Sequence, residues 1–173
     1  VSLRHRVYTR FGELCGLSDA DRAGLRERGL SDAEIDKRGF FSASKNRGFS
    51  EIIKRLFREF HNESTEIARL VPGVFRGGES GISIDRWCMF INVRDADGNV
   101  IALQKLSDGP GSKEYSWFSS RPIPDGKESD LYPTVKSRPH IAIPASEDRS
   151  GNSLRFTEGP LKADVATVLS GVR

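Results

Sequence analysis

Residues 153–169 carry the residue types and spacing best suited to chemistry in this chain. A short apolar run, Ser153-Leu154-Arg155-Phe156-Thr157, leads to Glu158 and then to a Gly159-Pro160 break. Leu161, Val165, Val168 and Leu169 follow at helical spacing. Pro160 suits a first helical position, where the backbone N–H has no partner inside the helix. The expected arrangement is strand, tight turn and helix, with Glu158 at the carboxyl end of the strand. Ligands gather at that end in open α/β sheets. A carboxylate there can hold a divalent metal or move a proton. The alternative is an ordinary strand–helix turn whose glutamate is only solvated.

The elements that must position this turn begin with helices. Val7, Phe11 and Leu14 are helically spaced, with Gly16 as a stop. Ser18 precedes an acidic first turn, Leu25 points inward and Gly29 ends that segment. Ser31-Asp32-Ala33-Glu34 is a second start signal, with Ile35 buried and Gly39 as its stop before Phe40-Phe41. Ser50 and Glu51 open a longer helix carrying Ile52, Ile53, Leu56, Phe57 and Phe60. Its other face holds Lys54, Arg55 and Arg58, which could track phosphates or simply be solvated. Arg22, Arg26, Arg28, Lys37 and Arg38 have the same two readings.

Residues 63–79 read as a loop with short strand pieces, punctuated by Pro72, Gly73, Gly77 and Gly78. From Ile82 the pattern becomes β. Trp87, Met89, Ile91 and Val93 alternate with Cys88, Phe90 and Asn92. Arg94 to Asn99 is a hairpin turn in which Gly98 takes positive φ, and Val100 to Gln104 is the return strand. Asp95 and Asp97 are read as turn residues rather than metal ligands. In the next strand Tyr115 and Trp117 should share one face, with Ser116 and Phe118 on the other. Residues 121–139, rich in Pro, Gly, Ser and Lys, read as a surface loop. His140 to Pro144 reads as a short strand, and His140 as either a phosphate contact or a structural residue.

The totals narrow the class. The chain has 173 residues, with 36% hydrophobic and 29% charged, enough for one domain or two small ones. No apolar run is long enough to span a bilayer, and Arg4, His5, Arg6 and Arg10 interrupt any leader-like core. Cys15 and Cys88 lie far apart without metal-ligand neighbours, which suits two reduced thiols and a cytoplasmic setting. A net charge of +3 is compatible with nucleic-acid binding without demanding it.

Glu158-Gly159 with Lys162 and Asp164 resembles the first motif of the Toprim fold. That fold is shared by DnaG-type primases, topoisomerases and many phage and plasmid replication proteins. Two further segments are similar to the DnaG-type catalytic core, in the same order. Arg28 to Phe40 resembles its small helical part. Phe90 to Leu103, followed by Lys113-Glu114-Tyr115-Ser116-Trp117-Phe118-Ser119-Ser120, resembles its sheet, although Glu114 separates the lysine from the tyrosine. The overall match is closest to an uncharacterised Toprim-like family of plasmid, phage and bacterial proteins.

The resemblance implies a mixed α+β or α/β fold. It comprises a helical region at 1–62, a β-rich, mostly antiparallel part at 63–150, and the first strand–turn–helix of a Toprim-like unit at 151–173. It implies a primase-like nucleotidyltransferase of DNA replication or of a mobile genetic element, using Mg2+ or Mn2+, a single-stranded DNA or RNA template and nucleotides. A helicase domain in the same longer protein is a further implied partner, and no membrane is. Glu158 would be the catalytic residue, and Glu158 with Asp164 metal ligands. Arg94, Lys105, Lys113, Tyr115 and Lys162 would contact nucleic acid, with Tyr115 and Trp117 otherwise core residues. The family's later carboxylates do not occur before Arg173, so catalysis is expected only where a longer protein supplies them. Two other readings remain: a non-catalytic nucleic-acid-binding or interaction module with an incomplete Toprim site, and a Toprim nuclease.

Overall fold

The computed structural model describes residues 1–44, 48–74, 82, 84, 87–108, 113–119, 139–142 and 156–169, with the side chains of Asp108 and Lys113 outside the description. Among these residues the fold is mixed α+β, with helices at the amino-terminal end and a four-stranded antiparallel sheet. The helices are α1 (Leu3–Cys15), α2 (Asp19–Glu27), α3 (Asp32–Arg38), α4 (Phe49–Glu59), α5 (Ser64–Leu70) and α6 (Pro160–Leu169). The strands β1 (Phe41–Ala43), β2 (Cys88–Arg94), β3 (Val100–Asp108) and β4 (Lys113–Trp117) lie side by side in that order.

The start signals work as the side chains dictate. Ser18 Oγ accepts the Asp21 N–H and Ser31 Oγ accepts the Glu34 N–H, so each serine satisfies an otherwise orphaned helix donor. Gly39 ends α3 in the left-handed conformation, at φ 67°. Its missing Cβ also leaves room for the amide of Asn92, which would stand 3.1 Å from such an atom.

β2 is central and buried on both faces, and its alternation divides the protein into layers. Cys88 and Phe90 join α1, α4 and α5 in one apolar cluster. Met89 and Ile91 join Leu25, Leu30, Ile35, Leu106 and Leu161 in another, which α6 covers. The first cluster is built on rings. Phe41 stacks on Phe90 at 4.7 Å between centroids, and Phe11 meets both edge-on. Gly12 lets α1 lie directly on this stack, since a Cβ there would come 2.9 Å from the Phe41 ring.

Some expectations change. Residues 64–70 form a helix rather than loop; Ala68 is buried, and Ile67 and the following Val71 pack into the ring cluster. Phe41–Ala43 is a strand, and it ties the helical region to β2 through the Phe41 and Phe90 pairing. Buried residues from both 1–62 and 63–150 belong to one apolar cluster. Residues 139–142 make no regular strand; Ile141 N–H donates to the Arg94 carbonyl at 3.0 Å. The expected strand before Glu158 and the loop after Ser120 fall mostly outside the described residues. The Arg94–Asn99 turn is as expected. Asp95 Oδ1 accepts the N–H groups of Asp97 and Asn99, which commits its carboxylate to the turn. No helix among the described residues is long and apolar enough to cross a membrane.

His5 on α1 fastens the sheet to the first helix, its Nδ1 accepting the Val100 N–H at 2.9 Å. Burial, and secondarily the charge of Arg94, hold its pKa below the ordinary 6.5. The unfolded chain therefore takes up a proton before the folded protein does, and this contribution to stability is present above pH 6.5 and lost as pH falls through the folded value. Calorimetric Tm should thus fall more between neutral and mildly acidic pH for the native chain than for His5→Gln. Equal falls would remove His5 from the account.

Candidate functional site

The site is assembled where α6 crosses the open end of the sheet. β3 and β4 pair with Leu106 opposite Tyr115 and Gln104 opposite Trp117, so these residues share one sheet face. Leu161 anchors α6 on that face beside Leu106. The turn before the helix then stands over β3 and β4. Between them lies a cleft of about 310 Å³ lined by Gln104, Tyr115, Glu158, Gly159, Leu161 and Lys162.

Its chemistry is that of a platform with charge above it. Tyr115 keeps 46% of its surface exposed, a large aromatic area at the cleft wall. Lys162 and Glu158 pair one helical turn apart, with side chains 60% and 76% exposed. Such exposed pairs are weak and readily exchange partners. An incoming phosphate can therefore recruit the ammonium. Gln104 Oε1 is buried and accepts no hydrogen bond, a condition that ordinarily costs about 1–3 kcal/mol.

A buried charge cluster holds α6 in this place. Arg38, at the end of α3, has a side chain only 1% exposed, and its Nε stands 3.3 Å from Asp164 Oδ1 on α6. Glu34 pairs with the same guanidinium from one turn back. Asp164 Oδ1 also lies 3.2 Å from His140 Nε2. His140 Nδ1 accepts the backbone N–H of Arg94 at 3.1 Å, so the ring proton sits on Nε2 and points to Asp164. Arg94 and Asn92 close the cluster by donating to the Arg38 carbonyl. Its members come from α3, β2, residues 139–142 and α6.

The expected site residues consequently separate. Tyr115, Glu158 and Lys162 come together in the cleft. Asp164 does not join Glu158 as a metal ligand: it turns inward, 2% exposed, and answers Arg38 and His140. Arg94 is committed to the buried cluster and to the Gly98 carbonyl rather than to a groove. Burial first, and then the neighbouring Arg38, lower its pKa, while Asp164 opposes them. Lys105 pairs with Ser116 on the opposite sheet face from Tyr115. Lys113 begins β4, its side chain outside the description. Trp117 shares the face of Tyr115, as the alternation requires, and Phe118 is fully buried on the other side.

Many of the helical arginines and lysines are answered by carboxylates. Arg22 and Arg26 meet Asp32 and Asp36, Lys54 meets Glu51, and Arg55 meets Glu59. Burial pushes the Cys15 thiol up to about 12, which makes it a poor nucleophile. Among the described residues no group of three His, Cys, Asp or Glu side chains could hold a metal ion. With Glu158 paired to Lys162 and Asp164 turned inward, the carboxylates present do not fit a divalent-cation site.

Sequence reasoning overlooked Gln104 and the role of Arg38. The signal for the first was available: an amide stands where the alternation with Leu106 calls for an apolar residue. Arg38 had no such signal, since an arginine before a helix stop is common on surfaces. Comparison with protein-family models, curated proteins and solved structures gives no match for this chain.

Removing Asp164 strips Arg38 of one buried counter-charge while Glu34 remains. Asp164→Ala should therefore cost about 3 kcal/mol, the lower end for breaking a buried ion pair. The paired change Arg38→Met with Asp164→Leu should recover most of that loss in urea unfolding. An Asp164→Ala protein as stable as the native chain would refute the anchoring role.

Proposed function

We propose that this chain is a single-stranded nucleic-acid-binding module of primase-like, Toprim-related type, with the β4–α6 cleft as its binding surface. The observation that carries the reading is the convergence of Tyr115, Glu158 and Lys162 in one open cleft. These residues come from separate parts of the chain, and the resemblance had singled out each of them. An exposed ring beside a lysine is the chemistry of strand binding without strong sequence demand: stacking for the base, charge for the phosphate. The cleft lies near the start of a ten-residue helix, whose amino end adds partial positive charge.

Within a longer protein of the primase-like class, this module would present template. Glu158 would supply the exposed carboxylate nearest the strand. Mg2+ or Mn2+ chemistry would then need further carboxylates from beyond the described residues. On this reading the module is one part of a replication or mobile-element nucleotidyltransferase, and strand binding is the part this chain performs itself.

Fluorescence anisotropy with labelled single-stranded DNA and RNA at several salt concentrations tests the proposal. Tyr115→Ala should weaken binding at least about fivefold, the lower bound for one base–aromatic stack. Lys162→Ala should weaken binding and reduce the slope of log affinity against log salt by about 0.7. Lys105→Ala, on the opposite face, should change neither. Absence of binding by the native chain at low salt, or equal loss in all three variants, would overturn the assignment.

A further inference from the structure

The sheet is closed on one side and open on the other. On β1 the outward Ser42 N–H donates to the Gly16 carbonyl at 2.8 Å. At the end of β2, Arg94 gives its N–H to His140 Nδ1 and receives the Ile141 N–H on its carbonyl. β4 forms the far edge. Just past it, the Phe118 N–H donates back to the Leu103 carbonyl at 2.9 Å. Alternate residues of an antiparallel strand bond the same neighbour. Glu114 and Ser116 therefore turn to β3 as well, while Tyr115 and Trp117 turn their N–H and C=O groups outward. Among the described residues nothing bonds those outward groups. Glu114, Tyr115 and Ser116 are exposed along this edge. An edge of this kind is a template for another strand.

We infer that β4 pairs with β4 of a second copy of the chain, antiparallel about a two-fold axis at Tyr115, so that the two sheets join into one. This pairing is independent of nucleic-acid binding.

Charge selects the register. A two-fold pairing must bring outward residues of one copy against outward residues of the other, which leaves Glu114, Tyr115 or Ser116 at the centre. Centred on Glu114, it sets like charges directly opposite each other, which is destabilising. Centred on Ser116, it sets each Glu114 against Phe118, whose ring is wholly buried in its own core. Centred on Tyr115, it sets each Glu114 against Ser116 of the other copy. Ser116 is the β3 partner of Lys105. Lys105 has no ion-pair partner among the described residues. The row across the joined sheet then reads Lys105, Ser116, Glu114, with strand spacings of about 4.8 Å between neighbours. A lysine and a glutamate side chain together span that distance over a serine. Symmetry repeats the contact on the other side of the axis, beside reciprocal backbone bonds at Tyr115. Both clefts then open on the same face of the joined sheet.

Sedimentation velocity of the full chain over a concentration series, without nucleic acid, tests the pairing. Two five-residue strands bury a small area, so the dimer should be weak and should fill only as concentration rises. Ser116→Glu changes an exposed side chain and sets a carboxylate against Glu114 of the other copy. It should weaken association at least about fivefold, because the like-charge contact occurs on both sides of the axis. Adding Glu114→Lys reverses one charge of that contact and should restore association. Circular dichroism of both variants should match the native chain. A chain that stays monomeric throughout the series overturns the pairing. So does a dimer that Ser116→Glu leaves as strong as before, or one that the second charge change fails to restore.

Discussion

A guanidinium taken almost wholly out of water is the constraint on which this arrangement depends. Arg38 cannot be buried without opposite charge, because desolvating an unanswered ion costs several kcal/mol. Glu34 answers it locally, and Asp164 answers it from the last helix. That second answer brings α6 onto the sheet at a defined place. The polar cluster extends to His140 and the Arg94 backbone, so residues 139–142 are fixed by the same requirement. Apolar burial of Leu161 beside Leu106 supplies attraction without direction. The charge pair adds an attraction between α3 and α6, with Arg38 Nε 3.3 Å from Asp164 Oδ1 and outside hydrogen-bond geometry.

The two sides of the sheet divide the work accordingly. One face is closed by the ring cluster under α1, α4 and α5, with Phe90, Phe41 and Phe118 fully packed. Little there is available to a ligand, and many of the basic residues on the neighbouring helices are tied to carboxylates. The other face is only partly covered. Beside Leu161, Tyr115, Gln104, Lys162 and Glu158 border an open cleft. The cleft thus borders the first turn of α6, where Leu161 is buried and Lys162 is exposed, while Asp164 ties the helix to Arg38.

Local signals made much of the scaffold legible. Ser18, Ser31, Gly16 and Gly39 mark helix ends by chemistry that acts within a few residues, and the Asp95–Asn99 turn is equally local. Phe41–Ala43 was harder, since so short a strand exists only because β2 offers it partners. The helix at 64–70 was hidden by its nearness to Pro72 and Gly73. For the site, residue type identified Tyr115, Glu158 and Lys162, while partnership could not be read from order alone. Asp164 looked like a ligand because it follows Glu158 in a familiar spacing. Its fate was decided by Arg38, more than a hundred residues earlier in the chain. Lys105 and Gln104 are adjacent, and strand alternation sends them to opposite faces; choosing between them required knowing which face α6 covers.

The most direct measurement is an amide NMR titration of the chain with single-stranded DNA at low salt. Shifts should concentrate at Gln104, Tyr115, Gly159 and Lys162, which line the cleft, with those of Lys54, Arg55 and Arg58 on α4 essentially unmoved. Shifts confined to the α4 face, with the cleft residues silent, would contradict it.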